Sequence, residues 1–503
     1  MITKKMINGN PDSIHYLHVL RFAGNVTGIA VFVKYKSGKA VCRNEIILLK
    51  RIENGLSFCK KCDILPECTI NRGTTIMKLS VSKHVISGAI QAPGSKSHTI
   101  RALVIATLAK GTSIIKSPLV SADTISSLTA ASTLGAWIKR GNDSIWTISG
   151  TGGNLLEPAG VINMGNSGTG IKLFAAMASL LPARITFDGD DSLRSRPMAS
   201  LLEALALLGV KSTSSEGGKC PFQVEGPMTG GETVVDGKSS QYLSALLLSA
   251  PLAPKDSVIL VNNLNEVPYV DITLDWLTRQ KIMFRKNKDY TRFEIPGRQS
   301  YRPFSEQIPG DFSSACFPMV AAAVTGGGIK IGNLDFNDTQ GDRKVVDFME
   351  QMGAKIVRTA DGLEVKPGTK LHAVELDLND TPDALPILSV AAACAEGRSV
   401  FKNVAQARIK ETDRIRCMTV ELQKMGIQVE EFEDGLAITG GKLRGAHVDS
   451  YLDHRIAMSL AVAGFAVKNP NETTVIDGAE CISVTYPGFF RDFTALGGAF
   501  YEN

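Results

Sequence analysis

The chain has 503 residues, a hydrophobic fraction of 44% and a net charge of +5 at pH 7. One hydrophobic core rarely serves so long a chain, so we expect at least two domains. No apolar run approaches the roughly 18 residues that cross a membrane, and polar residues interrupt the N-terminus where a signal peptide would need an apolar segment. These features argue against a membrane protein and predict a cytoplasmic one.

Residues 1–76 differ in charge from the rest of the chain. They carry a net +7, whereas the remaining residues sum to −2. Two apolar runs, 26–34 and 46–51, predict strands. One Cys-x-x-Cys pair could bind zinc, but the second close pair of a usual zinc site is missing. Two interpretations of this segment therefore stay open, a zinc site and a basic, loosely ordered appendage. The possible zinc ligands are Cys42, Cys59, Cys62 and Cys68.

From Met77 onward the sequence alternates short apolar strands, polar or glycine-rich loops and helices, a pattern typical of α/β proteins. Helix ends of similar sequence recur at Gly135 and Gly209, 74 residues apart, and at Gly353 and Gly426, 73 residues apart. Each glycine stands where a left-handed helix cap is expected. The spacing predicts a repeated unit of about seventy residues and two lobes of three units each. Five further cysteines have apolar neighbours and are expected to be reduced core thiols, namely Cys220, Cys316, Cys394, Cys417 and Cys481.

An anion-binding helix start is predicted at Pro-Gly-Ser-Lys-Ser-His-Thr-Ile-Arg, residues 93–101. Ser95 or Ser97 could cap the helix, and Lys96 and Arg101 would add positive charge to the free N–H groups of its first turn. The spacing does not match a Walker phosphate-binding loop. A plain capped surface helix explains the local pattern equally well.

Other polar clusters also precede apolar helices, and several carry cations in or near the predicted first turn. A cation there opposes the helix dipole, so local propensity would not select it. An anionic ligand with several charges, held between two lobes, would offset this repulsion. Two carboxylates among the cations, Asp383 and Glu411, are candidates for proton transfer. The cations concerned are Lys96, Lys410, Arg414 and Arg455, with Arg194 and Arg196 in a loop after a strand.

Other chemistries find little support in the sequence. No Ser-His-Asp or Cys-His arrangement is evident, and the seven histidines show no metal-ligand spacing. The glycines at 165–170 do not match a dinucleotide-binding fingerprint. We therefore predict a transferase without metal or cofactor that acts on phosphorylated or carboxylated small molecules.

Taken in order, the motifs resemble the 5-enolpyruvylshikimate-3-phosphate (EPSP) synthase family. The resemblance runs from Met77 to the C-terminus. Its Ser-Lys-Ser and Lys-Glu-Thr-Asp-Arg motifs distinguish it from the sister enzyme that acts on UDP-N-acetylglucosamine. The motifs are Pro-Gly-Ser-Lys-Ser at 93–97 with Arg101, Gly-Asn-Ser-Gly-Thr at 165–169, Arg-Pro-Met at 196–198, Ser-Ser-Gln at 239–241, Pro-Tyr at 268–269, Pro-Asp at 382–383, Lys-Glu-Thr-Asp-Arg at 410–414 and Asp-His-Arg at 453–455.

The resemblance implies an inside-out α/β barrel fold of two lobes, each with three βαβαββ units. It places the first lobe at residues 92–307 and the second at 77–91 together with 308–503. Residues 1–76 would then be an additional N-terminal segment. We expect a cytoplasmic monomer whose partners are small molecules rather than nucleic acid or membrane.

The reaction implied is transfer of the enolpyruvyl group of phosphoenolpyruvate to the 5-hydroxyl of shikimate 3-phosphate, with release of phosphate, on the route to chorismate and aromatic amino acids. Asp383, Glu411 and Lys96 would be the catalytic groups. Shikimate 3-phosphate would contact Lys96, Ser97, Arg101, Ser239, Ser240, Gln241, Tyr269, Asp383, Gln406 and Lys410. Phosphoenolpyruvate would contact Lys96, Asn166, Gly168, Arg196, Gln241, Arg414 and Arg455.

Four positions depart from the family pattern. Val484 stands where a lysine usually reaches phosphoenolpyruvate, and Lys172 stands where arginine is usual. Gln406 replaces a common asparagine, and Glu266 lies near a usual serine. A lost charged hydrogen bond costs ~1.5–3 kcal/mol, or roughly ten- to a hundredfold in affinity, so activity could survive with weaker donor binding.

Two alternatives stay open on the sequence alone. The first is the sister carboxyvinyltransferase, which would need a site for UDP-N-acetylglucosamine. The second is a catalytically impaired relative whose basic N-terminal segment binds nucleic acid or a partner protein, although such a charge run is usually a solvated surface.

Overall fold

The computed structural model describes residues 77–141 and 144–502, together with five strands earlier in the chain. Two compact units are present, Met1–Thr75 and Ile76–Asn503. Within the described residues, no helix combines the length and apolarity that crossing a bilayer requires.

The first unit contains two antiparallel sheets. Strands β1 (Thr3–Lys5) and β2 (Leu17–Val19) form one, and β3 (Gly28–Lys34), β4 (Asn44–Ile52) and β5 (Gly55–Phe58) form the other. The two strands predicted at 26–34 and 46–51 are thus confirmed. The possible zinc ligands lie outside the described residues, so that hypothesis stays a prediction: Cys42, Cys59, Cys62 and Cys68.

The second unit begins with two strands and continues through three sheets and their helices. In chain order these elements are β6 (Lys78–Ser82), β7 (Gly88–Gln91), α1 (Lys96–Leu108), β8 (Thr112–Lys116), α2 (Ala122–Thr133), β9 (Trp137–Gly141), β10 (Ile145–Ser149), β11 (Ile162–Asn163), α3 (Gly168–Ala178), β12 (Arg184–Asp188), α4 (Asp191–Ser195), α5 (Ala199–Leu207), β13 (Lys211–Ser215), β14 (Lys219–Glu225), β15 (Gly231–Asp236), α6 (Ser240–Ser249), β16 (Ser257–Asn262), α7 (Val267–Arg279), β17 (Arg285–Lys286), β18 (Arg292–Ile295) and β19 (Ser305–Gln307).

The remainder follows the same plan. Its elements are α8 (Phe312–Thr325), β20 (Ile329–Gly332), α9 (Lys344–Gln351), β21 (Ile356–Thr359), β22 (Gly362–Val365), β23 (Glu375–Asp377), α10 (Leu385–Ala393), β24 (Arg398–Lys402), α11 (Arg414–Lys424), β25 (Gln428–Phe432), β26 (Gly435–Thr439), β27 (His447–Asp449), α12 (His454–Phe465), β28 (Thr473–Asp477), α13 (Phe489–Ala495) and β29 (Phe500–Glu502).

Each four-stranded sheet of this unit has one parallel pair and two antiparallel pairs. The orders β11-β12-β14-β13, β15-β16-β18-β17 and β23-β24-β26-β25 each arise from a continuous βαβαββ segment. The other three sheets, β19-β8-β10-β9, β21-β22-β20-β7 and β27-β28-β6-β29, take strands from distant parts of the chain. The predicted α/β fold with repeated βαβαββ units is confirmed.

Two separate hydrophobic clusters hold these sheets together. One contains buried side chains from residues 100–308, and the other contains those from 79–92 and 312–496. Helices α3, α10 and α12 are buried on every face, which explains why their sequences are apolar all round. The four glycines predicted to cap helices have φ values of +105°, +92°, +98° and +84°, which confirms the left-handed caps.

The chain passes between the clusters twice, side by side. Gly94 and Gly310 form an antiparallel bridge, and Ser95 N donates to Pro309 O at 2.8 Å. A Cβ atom on Gly94 would lie 2.2 Å from the carbonyl oxygen of Ser117, so this crossing needs glycine for its close backbone approach. The second crossing follows β19, which pairs with β8, and leads directly into α8.

Candidate active site

The N-terminal ends of helices from both hydrophobic clusters converge on one cavity. Helices α1, α3 and α6 lie on one side, and α12 with the 3₁₀ turn Pro382–Ala384 lies on the other. A helix start offers unpaired N–H groups and a partial positive charge, so both sides favour an anion. The predicted site residues that line this cavity are Lys96, Ser97, Arg101, Gly168, Arg196, Ser239, Ser240, Gln241, Tyr269, Asp383, Gln406, Lys410, Glu411, Arg414 and Arg455.

Asp383 lies within reach of three cations. Its Oδ1 atom is 2.8 Å from Nη1 of Arg414 and 3.9 Å from Nζ of Lys410, and its Oδ2 atom is 3.0 Å from Nη2 of Arg455. The Tyr269 hydroxyl donates to Oδ2 at 3.3 Å. Burial acts to raise the pKa of Asp383, but the three cations outweigh it and hold the pKa well below its usual range. The carboxylate is therefore ionised at neutral pH and able to accept a proton.

Glu411 is a second buried carboxylate on the cavity. Its Oε2 atom is 2.5 Å from Nη2 of Arg414, and its Oε1 atom is 3.5 Å from Nη1 of Arg196. Burial opposes ionisation, yet the guanidinium charges lower the pKa of Glu411 well below its ordinary value. An anion bound to the same guanidinium groups would oppose this effect and raise the pKa. Glu411 could then carry a proton in a complex with anionic ligands.

Arg414 connects the carboxylates of this region. It is 1% exposed, and besides Asp383 and Glu411 it contacts Asp453, whose Oδ2 accepts from Nε at 2.8 Å. Asp453 in turn caps α12 by accepting from the backbone N–H of Arg455 at 2.8 Å. Arg414 therefore links the starts of α11 and α12 to Asp383.

Arg196 extends from the end of α4 over the start of α3. Its Nη2 donates to Oδ1 of Asn166 at 2.7 Å and to Oγ of Ser192 at 3.0 Å. A Cβ atom on Gly168 would lie 2.5 Å from Nη1 of Arg196, so a side chain at this position would displace the guanidinium. Asn166 does not line the cavity but holds Arg196, so its direct contact with phosphoenolpyruvate stays a prediction.

Arg101 is almost fully occupied by bonds within the protein. Nε donates to Thr273 at 2.8 Å, Nη2 to the carbonyl of Tyr269 at 2.9 Å and to Ser244 at 3.2 Å, and Nη1 to the carbonyl of Ser97 at 3.0 Å. Burial lowers the pKa of Arg101 to about 10, so it stays charged at neutral pH. Within the described residues these bonds leave one N–H group for a ligand.

Lys172 also lines the cavity. Its Nζ donates to Oε1 of Gln241 at 2.7 Å and to the carbonyl of Gly168 at 3.1 Å. Burial, followed by the charges of Arg196 and Lys410, lowers the pKa of Lys172 to about 7. Its charge near neutral pH therefore depends on what occupies the cavity.

Two local expectations about helix starts are wrong. Ser95 stands at the N-cap position of α1, but its hydroxyl makes no capping bond and has no partner among the described residues. Helix α11 begins at Arg414, capped by Asp413, so Lys410 and Glu411 precede the helix instead of lying in its first turn. Lys410 is therefore placed by a loop and does not oppose the dipole of α11.

This arrangement agrees with the comparisons to known proteins. A sequence profile described as EPSP synthase (3-phosphoshikimate 1-carboxyvinyltransferase) matches residues 82–493. The chain belongs to the EPSP synthase family.

Relatives within the EPSP synthase family match over nearly their whole length. A 3-phosphoshikimate 1-carboxyvinyltransferase of Ruminiclostridium cellulolyticum is 46% identical over 84% of this chain and 99% of the relative. One from Acetivibrio thermocellus is 45% identical over 84% of this chain and 98% of the relative. The structure of EPSP synthase from Acinetobacter baumannii superposes with a TM-score of 0.72 at 28% identity, covering 85% of this chain and 100% of that one.

Lys172, His454 and Glu266 are among the cavity residues that were not assigned a role from the sequence. Lys172 lies four residues after Gly168, and this helical spacing places it on the same face, which is a signal that could have revealed it. His454 lies between Asp453 and Arg455, and burial lowers its pKa to about 3, so it is neutral. Glu266 was noted in the sequence only as a departure near a usual serine, because its contacts with Ser240 and Lys410 join residues distant in the chain.

Proposed function

We propose that this chain transfers the enolpyruvyl group of phosphoenolpyruvate to the 5-hydroxyl of shikimate 3-phosphate and releases phosphate. Membership of the EPSP synthase family supports this reaction. So does the cavity, where eight basic side chains and three carboxylates line a space suited to two anionic molecules. The basic residues are Lys96, Arg101, Lys172, Arg196, Lys238, Lys410, Arg414 and Arg455, and the acidic ones are Glu266, Asp383 and Glu411.

The position of Asp383 is the observation that carries this proposal. It lies next to Tyr269 and Lys410, which are assigned to shikimate 3-phosphate, and also next to Arg414 and Arg455, which are assigned to phosphoenolpyruvate. A carboxylate at this junction is suited to accept the proton of the attacking 5-hydroxyl.

The second proton transfer is assigned to Glu411. It contacts Arg196 and Arg414, both assigned to the donor, so it belongs at the phosphoenolpyruvate end of the cavity. The acceptor oxygen would form a bond to C2 of phosphoenolpyruvate while C3 takes a proton from Glu411. The C2–O bond to phosphate would then break as C3 returns its proton to Glu411 and the double bond re-forms, and the leaving phosphate would take the proton that Asp383 accepted from the 5-hydroxyl. Lys96 and the guanidinium groups would stabilise the carboxylate and phosphate charges throughout.

The remaining assignments follow the motifs. Ser97, Arg101, Ser239, Ser240, Gln241, Gln406 and Lys410 would hold shikimate 3-phosphate, and Lys96, Gly168, Arg196, Gln241, Arg414 and Arg455 would hold phosphoenolpyruvate. The two hydrophobic clusters support lobes at residues 92–307 and at 77–91 with 308–503, except that Ala92 packs in the second cluster and Ile308 in the first. Residues 1–76 would form an additional segment. The protein would act in the cytoplasm as a monomer on small molecules, without nucleic acid or membrane.

Phosphate release tests the proposed reaction. Mixing the full chain with phosphoenolpyruvate and shikimate 3-phosphate should release one phosphate for each enolpyruvyl product. The same mixture with UDP-N-acetylglucosamine in place of shikimate 3-phosphate should release none. Absence of phosphate in the first mixture, with both substrates bound, would contradict the proposal and favour a binding role.

Adding a cation at Val484 should strengthen donor binding. Val484 ends the 3₁₀ turn Ala479–Val484, and the next residue, Thr485, lines a small cavity together with Lys96 and Arg455. Val484→Lys should lower the KM for phosphoenolpyruvate about tenfold, because it adds a charged hydrogen bond. Val161→Lys, which adds the same charge at an exposed site, is the control. An unchanged or higher KM for Val484→Lys would show that another group already fills this role.

Binding of shikimate 3-phosphate should take up a proton through Lys172. At pH 8 Lys172 is mostly neutral, because its pKa in the free protein is about 7. An anion bound nearby raises this pKa, so uptake should approach about one proton per chain at pH 8 and become small at pH 6. Calorimetry in two buffers of different ionisation enthalpy measures the uptake. Lys172→Arg stays charged and should lose this uptake, whereas equal uptake in both proteins would assign it elsewhere.

A further inference from the structure

Glu266 is a buried acid in a cavity suited to anions. It is 1% exposed and precedes α7 with a left-handed backbone, at φ +59° and ψ +41°. Its carboxylate makes no capping bond to α7. Instead Oε2 accepts from Oγ of Ser240 at 2.7 Å, and Oε1 forms an ion pair with Lys410. The carboxylate therefore contacts two residues that line the cavity and not the backbone of its own helix.

The partners of Glu266 are the groups best suited to the phosphate of the acceptor. Ser239 and Ser240 stand at the start of α6, where free N–H groups and hydroxyls favour a phosphate, and Lys410 adds a full positive charge. Arg101 is less suited, because the protein itself uses most of its N–H groups. The phosphate of shikimate 3-phosphate and the carboxylate of Glu266 thus need the same partners.

Asn379 contacts the backbone of Glu266 in this conformation. The backbone N–H of Glu266 donates to Oδ1 of Asn379 at 3.4 Å, and the amide of Asn379 also donates to Oδ1 of Asn265 at 2.9 Å. Non-glycine residues with positive φ are strained, so these contacts maintain a conformation that the local sequence does not favour.

We propose that Glu266 is a specificity-determining residue whose carboxylate occupies the acceptor's phosphate subsite and competes with that phosphate for Ser240 and Lys410. The consequence is weaker discrimination between shikimate 3-phosphate and unphosphorylated shikimate. This inference rests on the proposed function, since it concerns the acceptor of that reaction.

Calorimetric binding of the two acceptors, without phosphoenolpyruvate, tests the inference. Glu266→Gln keeps the shape of the side chain and removes its charge, whereas Glu266→Gly removes the side chain and suits the left-handed backbone. Both variants should bind shikimate 3-phosphate about ten- to a hundredfold more tightly than the unaltered protein, because two partners of the phosphate are released. Binding of shikimate should change by no more than about twofold, since it carries no phosphate to compete.

Glu203→Gln, an exposed change on α5, is the matched control and should leave both affinities unchanged. Unchanged or weaker binding of shikimate 3-phosphate by both Glu266 variants would overturn the inference. Thermal unfolding identifies a variant that has lost its fold. If the glutamine variant does not fold, the glycine variant decides the result. Phosphate release is a separate measurement: tighter binding without turnover would refute the proposed function alone, and turnover with unchanged binding would refute the role of Glu266 alone.

Discussion

Replacing Asp383 by asparagine should lower kcat by about a hundredfold to ten-thousandfold, the usual range for loss of a general base. Asparagine keeps the size of the side chain and can still accept a hydrogen bond from Tyr269, but it cannot take the proton of the 5-hydroxyl. The KM for shikimate 3-phosphate should change much less than kcat, because Lys410 and the serines of α6 remain. Initial rates of phosphate release over a range of both substrates measure the two constants.

The control for this change is Asp289→Asn, which alters an exposed turn. Its kcat should stay within about twofold of the unaltered protein, as is usual for surface substitutions. A kcat for Asp383→Asn within roughly tenfold of the original would assign the proton transfer to another group, with Glu411 or Lys96 the next to examine.

Arg414→Ala should destabilise the protein by about 3–5 kcal/mol, the typical effect of removing one member of a buried ion pair. The guanidinium is 1% exposed and contacts Asp383, Glu411 and Asp453, so its loss leaves buried carboxylates without their cation. Urea unfolding followed by circular dichroism and tryptophan fluorescence measures the change. Arg416→Ala, two residues along α11 with a side chain 64% exposed, should cost no more than about 1 kcal/mol.

The destabilisation by Arg414→Ala should depend on pH. In the unaltered protein the pKa values of Asp383 and Glu411 are lowered, so their stabilising contribution is present at neutral pH and is lost as the pH falls through those values. Without Arg414 these pKa values rise, and protonation then relieves the buried charge. The difference between the two proteins should therefore shrink from about pH 7 towards pH 4. A difference that stays constant with pH would indicate lost packing instead of unpaired charge.

The candidate site could be predicted largely because its residues gather at helix starts. A polar cluster followed by an apolar helix is a local pattern, so Lys96, Ser240 and Arg455 could be placed from the sequence. The start of α11 was misjudged by a few residues because Asp413, not an earlier residue, caps it. Ser95 occupies the N-cap position of α1, but its buried hydroxyl makes no capping bond.

The partners of these residues could not be predicted in the same way. Lys410 pairs with Glu266, which is 144 residues away in the chain, and Lys96 pairs with Asp123 on the next helix. The first contact joins the two lobes and the second joins two helices of one lobe, so both contacts and the pKa values they determine depend on tertiary packing. The pairing of β6 and β7 could not be predicted either, because their partner strands lie hundreds of residues later in the chain.

The sequence by itself determined the α/β repeat, the glycine helix caps and the set of charges at the helix starts, because each depends on residues within a turn or two of one another. Only the tertiary structure decided which carboxylate neutralises which cation. Ion-pair energies depend on distance and burial, and both are fixed by the packing of the two lobes. For Glu266 this difference is decisive: the sequence showed an unusual residue, and the fold placed its carboxylate against Ser240 and Lys410.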